Sequence, residues 1–106
     1  MMSLQDGFRP TIRRLRILVP PVWPVKVRSL PLTHVDGDCT FLHESKSGPH
    51  FSIRVNSKIA EETRVSILIH EWAHALSWGS GTHRIRDHGP EWGLAMSRIW
   101  QALVED

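Results

Sequence analysis

The chain has 106 residues, of which 41% are hydrophobic and 23% are charged, and its formal net charge is +2. This length accommodates one domain with one modest core, and this composition excludes a wholly disordered or collagen-like chain. A single cysteine, Cys39, excludes both an internal disulfide framework and a multi-cysteine zinc ribbon, which favours a reducing, cytoplasmic location.

The N-terminal third of the chain is basic, because no Asp or Glu occurs between Gly7 and Val35. Its cationic residues are Arg9, Arg13, Arg14, Arg16, Lys26 and Arg28. Such a segment is able to contact DNA or another polyanion, although it is more often a solvated surface that resists aggregation. We expect the solvated surface and keep DNA contact as the alternative.

The first structured segments are short. Residues 1–12 are predicted to form a flexible start, followed by a single domain over residues 13–106. Leu15–Val19 is a short β-like run that ends at Pro20. Its apolar part, Ile17–Val19, is far shorter than a signal-peptide core or a membrane span, so we expect no membrane partner.

Three later segments show the alternation of half-buried strands. Val25–Arg28 alternates apolar and basic residues, and Cys39–His43 follows the turn-like sequence Asp36–Asp38. Phe51–Val55 shows the clearest alternation and is the strongest strand prediction. Together they predict a small, mainly antiparallel sheet of three or four strands.

Helical periodicity then replaces the alternation. Ala60–Trp78 contains neither Gly nor Pro and is predicted to be one helix that Gly79 ends. A polar loop follows, and Pro90 begins a second helix. The expected buried stripe of this helix consists of Trp92, Met96, Ile99 and Leu103. Strands followed by helices predict the α+β class.

The first helix contains the motif H-E-x-x-H at His70, Glu71 and His74. Residues four apart on a helix differ by roughly 40° around its axis, so both histidines project side by side and can reach one zinc ion. Glu71 lies about 100° from His70 and flanks the metal, where it can act as general base toward metal-activated water. The alternative is two ordinary histidines without a ligand role.

A core-facing arc on the same helix supports this interpretation. It consists of Val65, Leu68, Ile69, Trp72, Ala73 and Leu76, and it points away from the two histidines. The helix is therefore apolar toward a core and reactive toward a cleft. We predict that Trp72 and Trp92 are core residues rather than substrate platforms.

A catalytic zinc site needs a third protein ligand and leaves the fourth position to water. A longer motif with Gly at position 77 and His at position 80 is absent, because both positions are serine. The downstream candidates are His83, His88 and Glu91. Position favours His88, since Gly89 and Pro90 lead directly from it into the second helix.

The segment from Phe51 to Trp100 resembles the SprT-like, or Spartan-type, metallopeptidases. The resemblance consists of the H-E-x-x-H helix followed by His88-Gly89-Pro90-Glu91-Trp92, which is similar to the family's HGxxF/W segment. It implies a minimal zincin-like domain, zinc as cofactor, His70, His74 and His88 as ligands, and peptide-bond hydrolysis with Glu71 as base. It also suggests DNA-associated proteins as substrates, although the chain lacks the Cys-rich zinc ribbon of larger members.

Two parts of this mechanism stay open in the sequence. The chain contains no tyrosine to stabilise an oxyanion, so His50, His83, Arg84 and Arg86 are the candidates. A substrate is expected to pair with an exposed strand edge, for which Phe51–Val55 is the candidate unless it is the central strand.

The leading hypothesis is a zinc metallopeptidase that acts as a monomer on proteins or peptides. One alternative is a catalytically weak or inactive zinc-fold module that binds DNA or protein, and another is a different zinc hydrolase on a similar scaffold. Glu71 favours catalysis, because a purely structural zinc does not require it. Cys39 has no basic neighbour in the sequence and is expected to be a small, buried residue.

Overall fold

Three strands and three helices make up the part of the chain that the computed structural model describes, residues 7–78 and 88–105. In chain order they are α1 (Phe8–Leu18), β1 (Val25–Leu30), β2 (Gly37–Leu42), β3 (His50–Asn56), α2 (Glu61–Ser77) and α3 (Pro90–Glu105). The α+β class, the three strands and the two later helices are therefore confirmed. In the described part of the chain, every helix is too short or too polar to cross a membrane.

The sheet has the order β1-β3-β2, with β3 in the centre. β1 pairs with β3 in parallel, with Val25 opposite Phe51, whereas β2 pairs with β3 antiparallel, with Gly37 opposite Val55. β3 is buried along most of its length because strands flank it on both sides. Of the two positions left open for Phe51–Val55, the exposed edge is therefore wrong and the central strand is confirmed, and β2 is the edge strand that lies against α2.

Helix α1 replaces the strand predicted at Leu15–Val19, which is wrong. The buried residues Phe8, Thr11 and Leu15 recur every three or four positions and face the core, while arginines occupy much of the opposite face. A window of five residues is too short to reveal this period. The helix also includes residues 8–12, which the sequence assigned to a flexible start, whereas residues 1–6 lie outside the described residues.

Helix α1 is attached to the rest of the domain by polar contacts at both ends. The backbone N–H of Phe8 donates to Glu61 Oε2 at 3.2 Å, so a carboxylate from the first turn of α2 caps α1. At the other end, Arg16 Nη2 donates to the carbonyl of Val25 at 2.9 Å. These contacts fix α1 against α2 and β1.

The core lies between the sheet and the helices, with α2 packed across β2 and β3 and α3 packed on α2. The predicted arc of α2 is confirmed, since Val65, Leu68, Ile69, Trp72 and Ala73 are buried and Leu76 is half-buried. Trp72 is fully buried, and its indole Nε1 donates to the carbonyl of Val19 at 2.9 Å. The indole thus connects the centre of α2 to the chain that leaves α1.

Two local predictions have different outcomes. Gly37 and Asp38, predicted to be a turn, begin β2 instead, and Asp38 forms an ion pair with Arg54 of β3. The helix end predicted at Gly79 and the loop up to residue 87 lie outside the described residues. Helix α2 ends at Ser77, close to the predicted end.

Candidate metal centre

Helix α2 presents two adjacent rows of side chains outside its core-facing arc. One row contains His70 and His74, which are half-buried, and the other contains Ile67 and Glu71. The first row faces α3, where Trp92 contacts both histidines, and the second faces β2. Glu71 is only 9% exposed, and its Cγ lies 3.6 Å from a Cβ built on Gly37 of the edge strand.

The three predicted ligands converge. One ligand atom from each of His70, His74 and His88 lies within 4.8 Å of the others, and Nε2 of His88 is 3.0 Å from Nε2 of His70. The ring centroids are 4.8 to 5.6 Å apart. Three imidazoles at such distances form a donor set that suits a zinc ion with one open position.

His88 reaches the other two histidines through an unusual backbone conformation. Its φ angle of 60° lies in the left-handed region, which costs a non-glycine residue on the order of 1 kcal/mol. Gly89 and Pro90 follow, and the N–H of Gly93 donates to the carbonyl of Gly89 at 3.0 Å in the first turn of α3. His88 is therefore a strained residue immediately before α3, and such strain is common at functional sites.

Trp92 is a part of this centre that the sequence analysis missed. Its indole ring packs on the rings of His88 and His70, with centroid distances of 4.7 and 5.1 Å, and its Nε1 donates to the carbonyl of His70 at 3.3 Å. The residue is half-buried, so the prediction of a core tryptophan describes only one side of it. Its position four residues after His88, about one helical turn, could have indicated this contact from the sequence.

Cys39 lies on β2 near the second row of α2. Burial, with a smaller contribution from the negative charges of Glu71 and Asp38, raises the pKa of its thiol to about 12. The residue is half-buried and forms no disulfide, as expected for an inert thiol. This electrostatic coupling also shows that Glu71 lies close to the edge strand.

The remaining predicted residues have other positions. His50 is buried at the start of β3, where its Nδ1 contacts the carbonyl of Gly48 at 2.9 Å and the hydroxyl of Ser45 at 3.2 Å. It therefore holds a turn, which argues against a role toward an oxyanion. Glu91 is exposed and is not among the converging ligands. His83, Arg84 and Arg86 lie outside the described residues.

The basic residues do not form one uniform surface. Arg9 and Arg13 of α1 and Arg28 of β1 are exposed, and Arg14 is half-buried. Arg16 and Lys26 are also exposed, but each has a partner within the fold, because Arg16 bonds the carbonyl of Val25 and Lys26 Nζ bonds Ser47 Oγ at 2.5 Å. The basic segment is therefore compatible with a solvated surface and also with contact to DNA.

Comparison with known proteins gives one match. A family model described as the SprT-like family matches residues 22–105, which include every strand, α2 and α3. No curated protein and no solved structure matches the chain significantly.

Proposed function

Because the chain belongs to the SprT-like family, we propose that it is a zinc-dependent endopeptidase in which His70, His74 and His88 hold the metal. The observation that carries the proposal is the convergence of three imidazoles beside the nearly buried carboxylate of Glu71. A zinc ion bound by three histidines for structural purposes alone does not need such a carboxylate. The alternative of an inactive zinc-fold module is therefore less well supported.

Each residue has a defined task in this proposal. Zinc, when bound, supplies a Lewis acid that polarises the scissile carbonyl and acidifies water to a pKa near 7. Glu71 accepts a proton from the attacking water as the water oxygen bonds to the carbonyl carbon. The same carboxyl then gives that proton to the departing amine nitrogen as the C–N bond breaks, which yields a carboxylate and an amine. Trp92 holds the His70 and His88 rings in place throughout.

The substrate that fits best is an extended polypeptide. β2 is the edge strand beside Glu71, and a peptide that adds to this edge satisfies its backbone hydrogen bonds and extends along α2. A folded protein cannot present such a strand without local unfolding. We therefore expect disordered proteins and exposed loops to be the preferred substrates.

A polyanionic partner is a second proposal, which concerns binding rather than catalysis. Arg9, Arg13 and Arg28 are exposed and have the charge that contacts a phosphate backbone. Binding of a fluorescent DNA oligonucleotide should then weaken steeply as salt increases, and it should weaken further in an Arg9→Gln/Arg13→Gln variant. Equal binding by wild type and variant, or no binding at low salt, would remove DNA as a partner of this surface.

The test of the proposed function is a comparison of wild type with Glu71→Gln, both loaded with zinc and incubated with casein. We expect about one zinc per chain in both proteins, because three histidines bind it. Only wild type should cleave casein or itself. Glu91→Gln is the matched control, since it removes an exposed carboxylate that is not among the converging groups, and it should cleave at the wild-type rate. Equal cleavage by Glu71→Gln and wild type would contradict the proposed mechanism.

A further inference from the structure

Gly37, the first residue of β2, lies directly against the active-site helix. A Cβ atom built on it lies 2.4 Å from Cγ2 of Ile67, 3.0 Å from the carbonyl oxygen of Arg54 and 3.6 Å from Cγ of Glu71. Its backbone does not have a positive φ, in contrast to Gly7 and Gly48. The position therefore requires glycine for its lack of volume and not for its conformational freedom.

The two α2 side chains at this contact belong to one row. Ile67 and Glu71 are four residues apart and project side by side, and their row lies roughly 60° around the helix axis from the row of His70 and His74. Ile67 is β-branched, and such side chains have one strongly preferred rotamer in a helix, so its Cγ2 has little freedom to move aside. A methyl group at position 37 would consequently push β2 away from this row.

The adjacent row, which contains His70 and His74, is held by α3 instead of β2. Trp92 of α3 packs on His70 and His74 and bonds the carbonyl of His70, and these contacts do not involve β2. The position of the histidines thus depends on α3, whereas the position of the Glu71 side chain depends on β2. A small displacement of β2 should affect the carboxylate and leave the metal ligands in place.

We propose that Gly37 is a positioning residue for Glu71. Its lack of a side chain lets β2 lie directly on Ile67 and the Glu71 methylene groups, and this packing fixes the carboxylate relative to the three histidines. The inference rests on the proposed function, because it assigns to Gly37 an effect on the residue that acts as base there. It adds a residue outside both motifs to the catalytic apparatus.

The first test is Gly37→Ala, with Gly93→Ala as the matched control. The same methyl group at Gly93 has no heavy atom within 4 Å, so the control should retain wild-type kcat and KM for a casein-derived peptide. In Gly37→Ala we expect zinc content to stay at one per chain and kcat to fall on the order of 10²-fold, as misplacement of a catalytic group by about 1 Å does. KM should change much less than kcat. A folded, zinc-loaded Gly37→Ala protein with wild-type kcat would overturn the inference.

A compensating substitution separates positioning from general destabilisation. Ile67→Ala removes the Cγ2 atom that the new methyl group would meet, so the methyl of Gly37→Ala occupies space that Ile67 vacates. The double variant should fold even if Gly37→Ala alone does not, and its kcat should lie within about tenfold of wild type. A folded double variant that is as slow as Glu71→Gln would show that the clash with Ile67 does not control the carboxylate, which would overturn the inference.

A binding measurement tests the same point without turnover. Acetohydroxamate chelates zinc and presents an acidic hydroxyl that a neighbouring carboxylate accepts. Calorimetry on the zinc-loaded proteins should show weaker binding, on the order of tenfold, for both Gly37→Ala and Glu71→Gln, and wild-type binding for Gly93→Ala. If wild type cleaves no protein but this pattern holds, the proposed function fails and the positioning role stands. Wild-type affinity in Gly37→Ala would overturn the positioning role, whether or not the protein is a peptidase.

Discussion

Nε2 of His70 and Nε2 of His88 lie 3.0 Å apart, although His70 lies within α2 and His88 lies 18 residues later, just before α3. Two nitrogens that bind one tetrahedral zinc ion at 2.0–2.1 Å are about 3.3 Å apart, so only a small separation of the rings is needed. The third imidazole, from His74, is within the same 4.8 Å cluster. The three imidazoles are therefore arranged to bind one cation.

The first prediction concerns the ligand that comes from outside the helix. His88→Ala should lose zinc affinity by at least about 10²-fold, because two helical histidines alone leave the coordination incomplete. His34→Ala is the control, since His34 is exposed in the connection between β1 and β2 and should retain wild-type affinity. The measurement is zinc competition against a chromogenic chelator. If His88→Ala binds as wild type does and His83→Ala does not, the third ligand is His83.

The second prediction concerns the indole that packs on the ligands. Trp92→Ala should weaken zinc binding by about tenfold, because it removes the ring contacts with the histidines and the hydrogen bond to the His70 carbonyl. Trp92→Phe keeps an aromatic ring and should have a smaller effect. Trp100→Ala, at a more exposed tryptophan of the same helix, should leave the affinity unchanged. Equal affinities for wild type and Trp92→Ala would show that the indole is only a core residue.

Much of this centre was accessible from sequence because it depends on local geometry. The spacing of His70 and His74 fixes their directions on a helix, and Pro90 fixes the start of α3 close to His88. The contacts of Gly37 were not accessible, because they depend on how β2 meets a helix that begins 24 residues later along the chain. The place of β3 was left open between edge and centre for the same reason, since strand order is a tertiary property that alternation does not encode. Helix α1 was missed because prolines and arginines obscured its period.

The third prediction concerns Cys39 at high pH. Its thiol has a pKa of about 12 in the folded protein instead of the ordinary 9.0, so between these values the unfolded chain loses the proton and the folded chain keeps it. The unfolded state is then favoured as pH rises, and stability conferred by the protonated thiol declines from about pH 9 upward. Relative to Cys39→Ala, wild type should lose roughly 1 kcal/mol of unfolding free energy for each pH unit in this range.

Urea titrations of both proteins from pH 8 to pH 11 measure this difference. The chain has no tyrosine, and the lysines at positions 26, 46 and 58 are exposed and common to both proteins, so the difference between the two stability curves reports on the thiol. Parallel stability curves for wild type and Cys39→Ala would contradict the raised pKa. A difference that appears only above pH 9 would support it.

The fourth prediction concerns the attachment of α2 to α1 through Trp72. Trp72→Phe keeps most of the buried ring but removes the hydrogen bond to the carbonyl oxygen of Val19. Val19 is only 4% exposed. A buried carbonyl without its donor costs about 1–3 kcal/mol, and we expect the free energy of unfolding in urea to fall by that amount. Trp100→Phe should change stability by less than about 0.5 kcal/mol, because that ring is much more exposed.

Saturating zinc should raise the stability of Trp72→Phe and wild type equally, because Trp72 lies on the core face of α2, away from the histidines. A larger zinc effect in the variant would instead show that the indole also positions the ligands.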